Sequence, residues 1–121
     1  MATILTVDDS PSIRQMIKVA LGPLGHTVIE AGDGAQGLEK AKSSRPNLVI
    51  TDLNMPVMNG LELIKALRAT PALTGLPIVF LTTESSEAAK QQAKQAGATG
   101  WITKPFKQEQ LLAVVNKLVR T

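Results

Sequence analysis

Thr3-Ile4-Leu5-Thr6-Val7-Asp8-Asp9-Ser10-Pro11 is the stretch that decides the fold. An apolar run of strand length ends in two adjacent acids, and a serine and a proline follow as N-cap and first helical residue. The pattern returns at Asn47-Leu48-Val49-Ile50-Thr51, which ends in Asp52. Ile78-Val79-Phe80-Leu81 ends in Thr82, and Gly100-Trp101-Ile102-Thr103 ends in Lys104. With Thr27 to Ala31 these make five strand-length runs, each followed by a stretch of helical period. That alternation predicts an α/β domain with a five-stranded parallel sheet and five helices, residues 1–121 forming one domain.

The helices between the runs have their own punctuation. The first carries Ile13, Ile17, Ala20 and Leu21 on one face and stops around Gly22-Pro23-Leu24-Gly25. Asp33 caps a second, through Leu38 and Ala41, which must end before Pro46 because proline disfavours a helical residue ahead of it. A third presents Leu61, Ile64 and Leu67, and a loop from Thr70 to Pro77 leads on to the fourth strand. The fourth, Ser86 to Ala96, offers only Ala88, Ala89, Ala93 and Ala96 before Gly97 ends it. Alanine buries little area, so this helix is expected to be weakly anchored. The fifth has a strong stripe of Leu111, Leu112, Val115, Leu118 and Val119.

Composition excludes several classes of chemistry. The chain has 121 residues, enough for one core, and no cysteine, which removes disulfides, thiolate nucleophiles and cysteine zinc sites. The beginning of the sequence lacks a basic leader with an apolar core, and no run approaches membrane-spanning length, so the expectation is a cytoplasmic protein without membrane contact. The net charge of +3 comes from lysines and arginines spread over every helix, with only Phe80, Trp101 and Phe106 as aromatics. Diffuse charge of this kind does not indicate nucleic-acid binding. Setting aside Asp8, Asp9, Asp52 and Lys104 leaves 12 basic and 7 acidic residues, a balance of +5 that favours an acidic protein partner.

The acids point to phosphoryl chemistry. In an open parallel sheet the functional crevice lies beyond the carboxyl ends of the strands, and Asp8, Asp9, Asp52, Thr82, Thr83 and Lys104 all fall on that edge. Three carboxylates there raise one another's pKa values unless a cation joins them. Mg²⁺ suits the set, since it takes a few oxygens and keeps positions for water and phosphate, and the Asn54 backbone carbonyl is a further candidate ligand. A carboxylate can also attack phosphorus to give an acyl phosphate, and Asp52, ending a central strand, is the best nucleophile. Lys104 can neutralise charge on the transferred oxygens, and Thr82 can donate a hydrogen bond to one. His26, the only histidine, belongs to the opposite edge, which argues against Ser-His-Asp catalysis. A histidine that supplies the phosphoryl group then belongs to another molecule.

Val7-Asp8-Asp9, the segment Asp52-Leu53-Asn54-Met55-Pro56-Val57-Met58-Asn59-Gly60, Thr82 and Lys104-Pro105-Phe106 together resemble the receiver domain of bacterial two-component response regulators, of the single-domain CheY-like chemotaxis type. The resemblance covers essentially the whole chain. It implies a doubly wound five-stranded parallel sheet flanked by five helices, in the strand order 2-1-3-4-5 known for that family. It also implies Asp52 as phosphoacceptor, Asp8 and Asp9 as the Mg²⁺ pair, Thr82 as switch hydroxyl, Lys104 as phosphate-binding lysine and a cis Lys104–Pro105 peptide. Trp101 stands at the aromatic switch position usually held by Tyr or Phe, while Asn54, Thr83 and Glu84 stand where phosphoryl lifetime is tuned. Thr83 is bulkier than the frequent Ala or Gly, and Asn59 replaces a common Asp.

The implied activity is a phosphorylation-activated switch. A histidine kinase of the CheA kind, or a phosphotransfer domain, donates to Asp52, and the surface of helix four, strand five and helix five then controls a downstream protein such as a flagellar motor component. The chain is expected to act as a monomer and not as a turnover enzyme. Two rivals are a phosphate sink or relay carrier without output, and a phosphohydrolase of the haloacid-dehalogenase kind. The latter places its nucleophile after strand one in an Asp-x-Asp pattern, whereas this chain has adjacent acids there.

Overall fold

A computed structural model describes residues 2–119. Its strands are β1 (Thr3–Val7), β2 (Thr27–Ala31), β3 (Leu48–Thr51), β4 (Ile78–Thr82) and β5 (Gly100–Thr103). The helices are α1 (Pro11–Leu21), α2 (Gly34–Ser44), α3 (Gly60–Arg68), α4 (Glu87–Ala96) and α5 (Gln108–Leu118). All strand pairs are parallel, in the order β2-β1-β3-β4-β5. The order reverses direction at β1 and β3, the strands that deliver Asp8, Asp9 and Asp52.

Strand alternation sorts the core into two layers. Ile4, Leu48, Ile50, Val79, Leu81 and Ile102 face Ile17, Ala20 and Leu21 of α1 and Leu111 and Val115 of α5. Leu5, Val7, Val49, Ile78 and Phe80 face Ala41 of α2, Leu63, Ile64 and Leu67 of α3, and Ala93 of α4. Every residue of β3 and β4 is buried, whereas the edge strands β2 and β5 are mostly half-buried. This is why the central runs read as continuous apolar sequence.

Some boundaries differ from the sequence reading. Asn47 precedes β3, and its side-chain carbonyl accepts from Thr3 N–H at 2.8 Å. Thr82 is the last residue of β4 and not the first of the loop. The loop before β4 contains a short 3-10 turn, Pro71–Leu73. Val119 lies past the end of α5. His26 sits before β2 at the amino edge, where its Nδ1 accepts from Ala2 N–H at 3.2 Å.

The fourth helix is held unequally at its two ends. Only Ala93 is buried; Ala89 and Ala96 are half-buried, and Ala88, assigned to the apolar face from the sequence, is exposed. At the carboxyl end, Gly97 adopts the left-handed conformation with φ of 106°. There the Arg68 guanidinium donates to the Gly97 carbonyl at 2.7 Å, and also to the Thr74 and Leu76 carbonyls at 3.0 and 2.7 Å. Burial lowers the pKa of Arg68. The amino end is fixed locally by Ser86, whose hydroxyl accepts from Ala89 N–H at 3.2 Å.

Candidate phosphoacceptor and metal site

The acids at the carboxyl edge converge because adjacent parallel strands end in register. Val7 pairs with Thr51, so the residues that follow, Asp8 and Asp52, emerge side by side. Oxygens of Asp8, Asp9 and Asp52 lie within 4.8 Å of one another. Lys104 enters from the end of β5 and bridges two of them, with Nζ 2.8 Å from Asp8 Oδ2 and 3.0 Å from Asp52 Oδ2. The Lys104–Pro105 peptide that follows is cis.

The three acids occupy different environments. Asp8 is buried, and burial pushes its pKa up against the hydrogen bond from Lys104 and the Ser10 N–H at 2.9 Å; the charge of Asp52 adds to the rise. Asp9 is exposed, and among the described residues its carboxylate accepts no hydrogen bond. Asp52 is buried, and its Oδ1 accepts from Leu53 N–H at 2.7 Å and Asn54 N–H at 3.4 Å. Its Oδ2 accepts from the Lys104 ammonium alone, among the described residues. Burial lowers the pKa of Lys104, but hydrogen bonds to Asp8 and Asp52, with their charges, leave it raised.

These donors fit a hard dication. All three side chains offer carboxylate oxygens, none offers sulfur or nitrogen, and Asp9 has an unengaged carboxylate at the solvent side. Among the described residues no group donates to the Asn54 carbonyl, which leaves it available in the exposed loop after β3.

The other candidate residues make no hydrogen bond to the three acids, among the described residues, although the Thr82 carbonyl accepts from Lys104 N–H at 2.8 Å. Thr82 is fully buried, and its Oγ1 accepts from Glu84 N–H at 3.3 Å. Glu84 in turn accepts from Ser86 N–H at 3.1 Å, a bond that holds its carboxyl below the ordinary range. Thr83 is exposed. Trp101 packs on the α4 side of the sheet, tilted 43° against Phe80 with ring centroids 5.7 Å apart. Its buried indole N–H has no partner among the described residues. Asn59 caps α3 in a reciprocal capping box with Glu62, so the substitution at that position belongs to the helix start and not to the acid cluster.

Arg14 is a contact that sequence reading missed. Its Nη1 donates to the Asp8 backbone carbonyl at 2.5 Å, while its Nε pairs with Glu30 on β2 at 3.2 Å. A signal existed: Arg14 is the fourth residue of α1, at the helix end where the macrodipole disfavours a cation.

The loop after Asp52 is strained at Val57. This residue has φ of 69°, and Met58 N–H donates to the Pro56 carbonyl across it at 2.7 Å, closing a three-residue turn. A β-branched side chain is poorly tolerated there, and Val57 is 81% exposed, so packing does not compensate. Asn, which enters the left-handed region readily, should relieve the strain. Val57→Asn is expected to raise stability by about 1 kcal/mol, measured as a higher urea midpoint at unchanged slope.

Comparisons with known proteins bear on the fold and the family of the chain. The chain is 34% identical over 119 residues to protein PilH of Pseudomonas aeruginosa, covering 98% of each chain. It is 38% identical over 117 residues to the DNA-binding response regulator MtrA of Mycolicibacterium smegmatis, covering 97% of this chain and 50% of that longer protein. The structure superposes on the chemotaxis response regulator CheY4 of Vibrio cholerae with a TM-score of 0.93 at 46% identity, covering 98% of this chain and 99% of that one. It also matches the receiver domain of the sensor histidine kinase PA1611 of Pseudomonas aeruginosa, solved with a magnesium ion coordinated in its active-site cleft, with a TM-score of 0.89 at 28% identity over 97% and 96% of the two chains. The family model for the response regulator receiver domain matches residues 4–116, and with the strand order and edge acids already described, the chain belongs to the receiver domains of two-component response regulators.

Proposed function

We propose that the protein is a phosphorylation-activated switch in which Asp52 accepts a phosphoryl group from the phosphohistidine of a partner kinase or phosphotransfer domain, or from a small acyl phosphate. The observation that carries this reading is the Lys104 bridge to Asp8 and Asp52 within a cluster of three carboxylates. Asp8, Asp9 and Asp52, with the Asn54 carbonyl, would hold Mg²⁺. When bound, the ion supplies positive charge that offsets the charge on the phosphoryl oxygens.

The division of labour within Asp52 follows from its hydrogen bonds. Oδ1 is fixed by two backbone N–H groups, so Oδ2 is the oxygen that forms the bond to phosphorus. The bond from phosphorus to the donor nitrogen, or to the acyl oxygen, breaks, and that atom leaves with the electron pair. Lys104 moves from Oδ2 to a phosphoryl oxygen. Thr82 has a hydroxyl proton to donate to another, and turning toward it gives up the contact with Glu84 N–H. That contact anchors the loop ahead of α4, whose amino end is held locally and whose carboxyl end is pinned by Arg68. A shift there changes the face made by α4, β5 and α5, where Lys90, Ala93, Lys94 and Trp101 line a shallow cavity of about 260 Å³. The unpartnered indole N–H leaves Trp101 without a polar anchor against such a change.

The output is a protein contact, and the likeness to chemotaxis CheY4 supports a role in motility, with a flagellar motor component as the partner. The chain acts as a stoichiometric carrier of the phosphoryl group and not as a turnover enzyme, and it works in the cytoplasm as a monomer. Incubation with acetyl phosphate and Mg²⁺ is expected to add one phosphoryl group by mass spectrometry, removable by hydroxylamine as an acyl phosphate. No adduct, or repeated turnover of a generic phosphate monoester, would overturn the reading.

A further inference from the structure

We infer that Arg14 and Glu30 form a positioning pair for magnesium, acting through the backbone that carries Asp8 and Asp9. The inference rests on the metal role proposed above. It begins from an unfavourable placement. A guanidinium lies in the first turns of α1, against the helix dipole, and close to carboxylates proposed to hold a dication that it would repel. Electrostatics alone predicts that such a cation weakens metal binding.

The hydrogen bonds suggest an opposite effect. The turn after β1 is fixed at three points around Asp8: its N–H donates to the Ala31 carbonyl at 3.0 Å, its Oδ1 accepts from Ser10 N–H at 2.9 Å, and its carbonyl accepts from Arg14 Nη1 at 2.5 Å. Asp9, with no side-chain partner of its own among the described residues, takes its position from that turn. Arg14 is itself oriented by Glu30, 3.2 Å from Nε, and beyond it lies an open polar cleft lined by Gly32, Gln36 and Lys40. Lys40 donates to the Glu30 carbonyl and Lys18 approaches its carboxylate at 3.9 Å, so β2 presents Glu30 from a fixed backbone. The planar fork of arginine spans both contacts at once, which one ammonium cannot do. Groups that orient metal ligands without touching the ion commonly carry a tenfold or larger share of affinity.

The test is Mg²⁺ titration of the full chain, followed by calorimetry and by Trp101 fluorescence, with thermal unfolding measured separately. Arg14→Gln is expected to weaken Mg²⁺ binding about tenfold. Arg14→Lys, which keeps the charge and loses one contact, should weaken it in the same direction, and it serves alone if the glutamine variant does not fold. Binding that is unchanged or tighter in the folded variants overturns the inference, since a purely electrostatic role predicts tightening and a purely structural one moves only the unfolding temperature. If the wild-type chain binds no Mg²⁺, the metal reading itself falls and this inference with it.

Discussion

Asp52→Asn is expected to abolish phosphorylation while leaving the chain folded. The amide keeps an oxygen for the Leu53 and Asn54 N–H groups, so the loop after β3 retains its local support. What is lost is the Oδ2 electron pair that forms the bond to phosphorus, because an amide nitrogen in its place is not a nucleophile at neutral pH. It also turns a donor toward the Lys104 ammonium, leaving Lys104 with Asp8 as its remaining partner. The mismatch should cost about 1 kcal/mol, far less than the stability of an ordinary domain. Acetyl phosphate with Mg²⁺ should then give no adduct by mass spectrometry. The Trp101 fluorescence response to beryllofluoride should disappear, while Asp8 and Asp9 keep a weakened response to Mg²⁺ alone. One phosphoryl group still appearing on the variant would move the acceptor elsewhere.

The sheet was legible because burial on both faces leaves a continuous trace in sequence: β3 and β4 are uninterrupted apolar runs, and the polar residue that ends each one marks the carboxyl edge. Caps at Ser10 and Asp33 were legible for a related reason, since each satisfies an N–H three residues on within the same short segment, whereas Ser86, read as the first residue of the fourth helix, is its cap. Contacts that join distant elements left fainter marks. Arg14 reaches back to Asp8 and across to Glu30, and its one trace in the sequence is a cation near the start of a helix; Arg68 joins α3, the following loop and Gly97, but reads as an ordinary cation at a helix end. Ala88 was misplaced because an alanine gives little amphipathic contrast, so the face of a helix rich in alanine is ambiguous by one position. The hydrogen bond from Glu84 to Thr82 depends on a loop conformation that spacing does not encode.

Gly60→Ala is expected to be the most destabilising small substitution near the site, and the reason ties fold to function. Gly60 opens α3 and packs under the loop that leaves Asp52, with its N–H donating to the Leu53 carbonyl at 2.8 Å. A Cβ there would meet the Asp52 carbonyl oxygen at 2.2 Å, Phe80 Cε1 at 2.6 Å and Leu53 Cα at 3.0 Å. Two of these neighbours are backbone and the third is a fully buried ring, so relief requires moving α3 away from β3 or displacing the acceptor loop. Overpacking of this kind costs about 3 kcal/mol, a large share of a domain's stability. Phe80 also contacts Trp101, so the same displacement reaches the α4 face, and loss of stability should be accompanied by altered tryptophan emission and slower phosphorylation in the molecules that remain folded. Gly75→Ala is the matched control: it exchanges the same two residues where a Cβ meets nothing within 4 Å beyond its chain neighbours, no proline follows, and the backbone lies outside the left-handed region. Urea unfolding of the two variants should separate them by most of the predicted cost, and equal midpoints would show that the α3–β3 junction yields to a methyl group without strain.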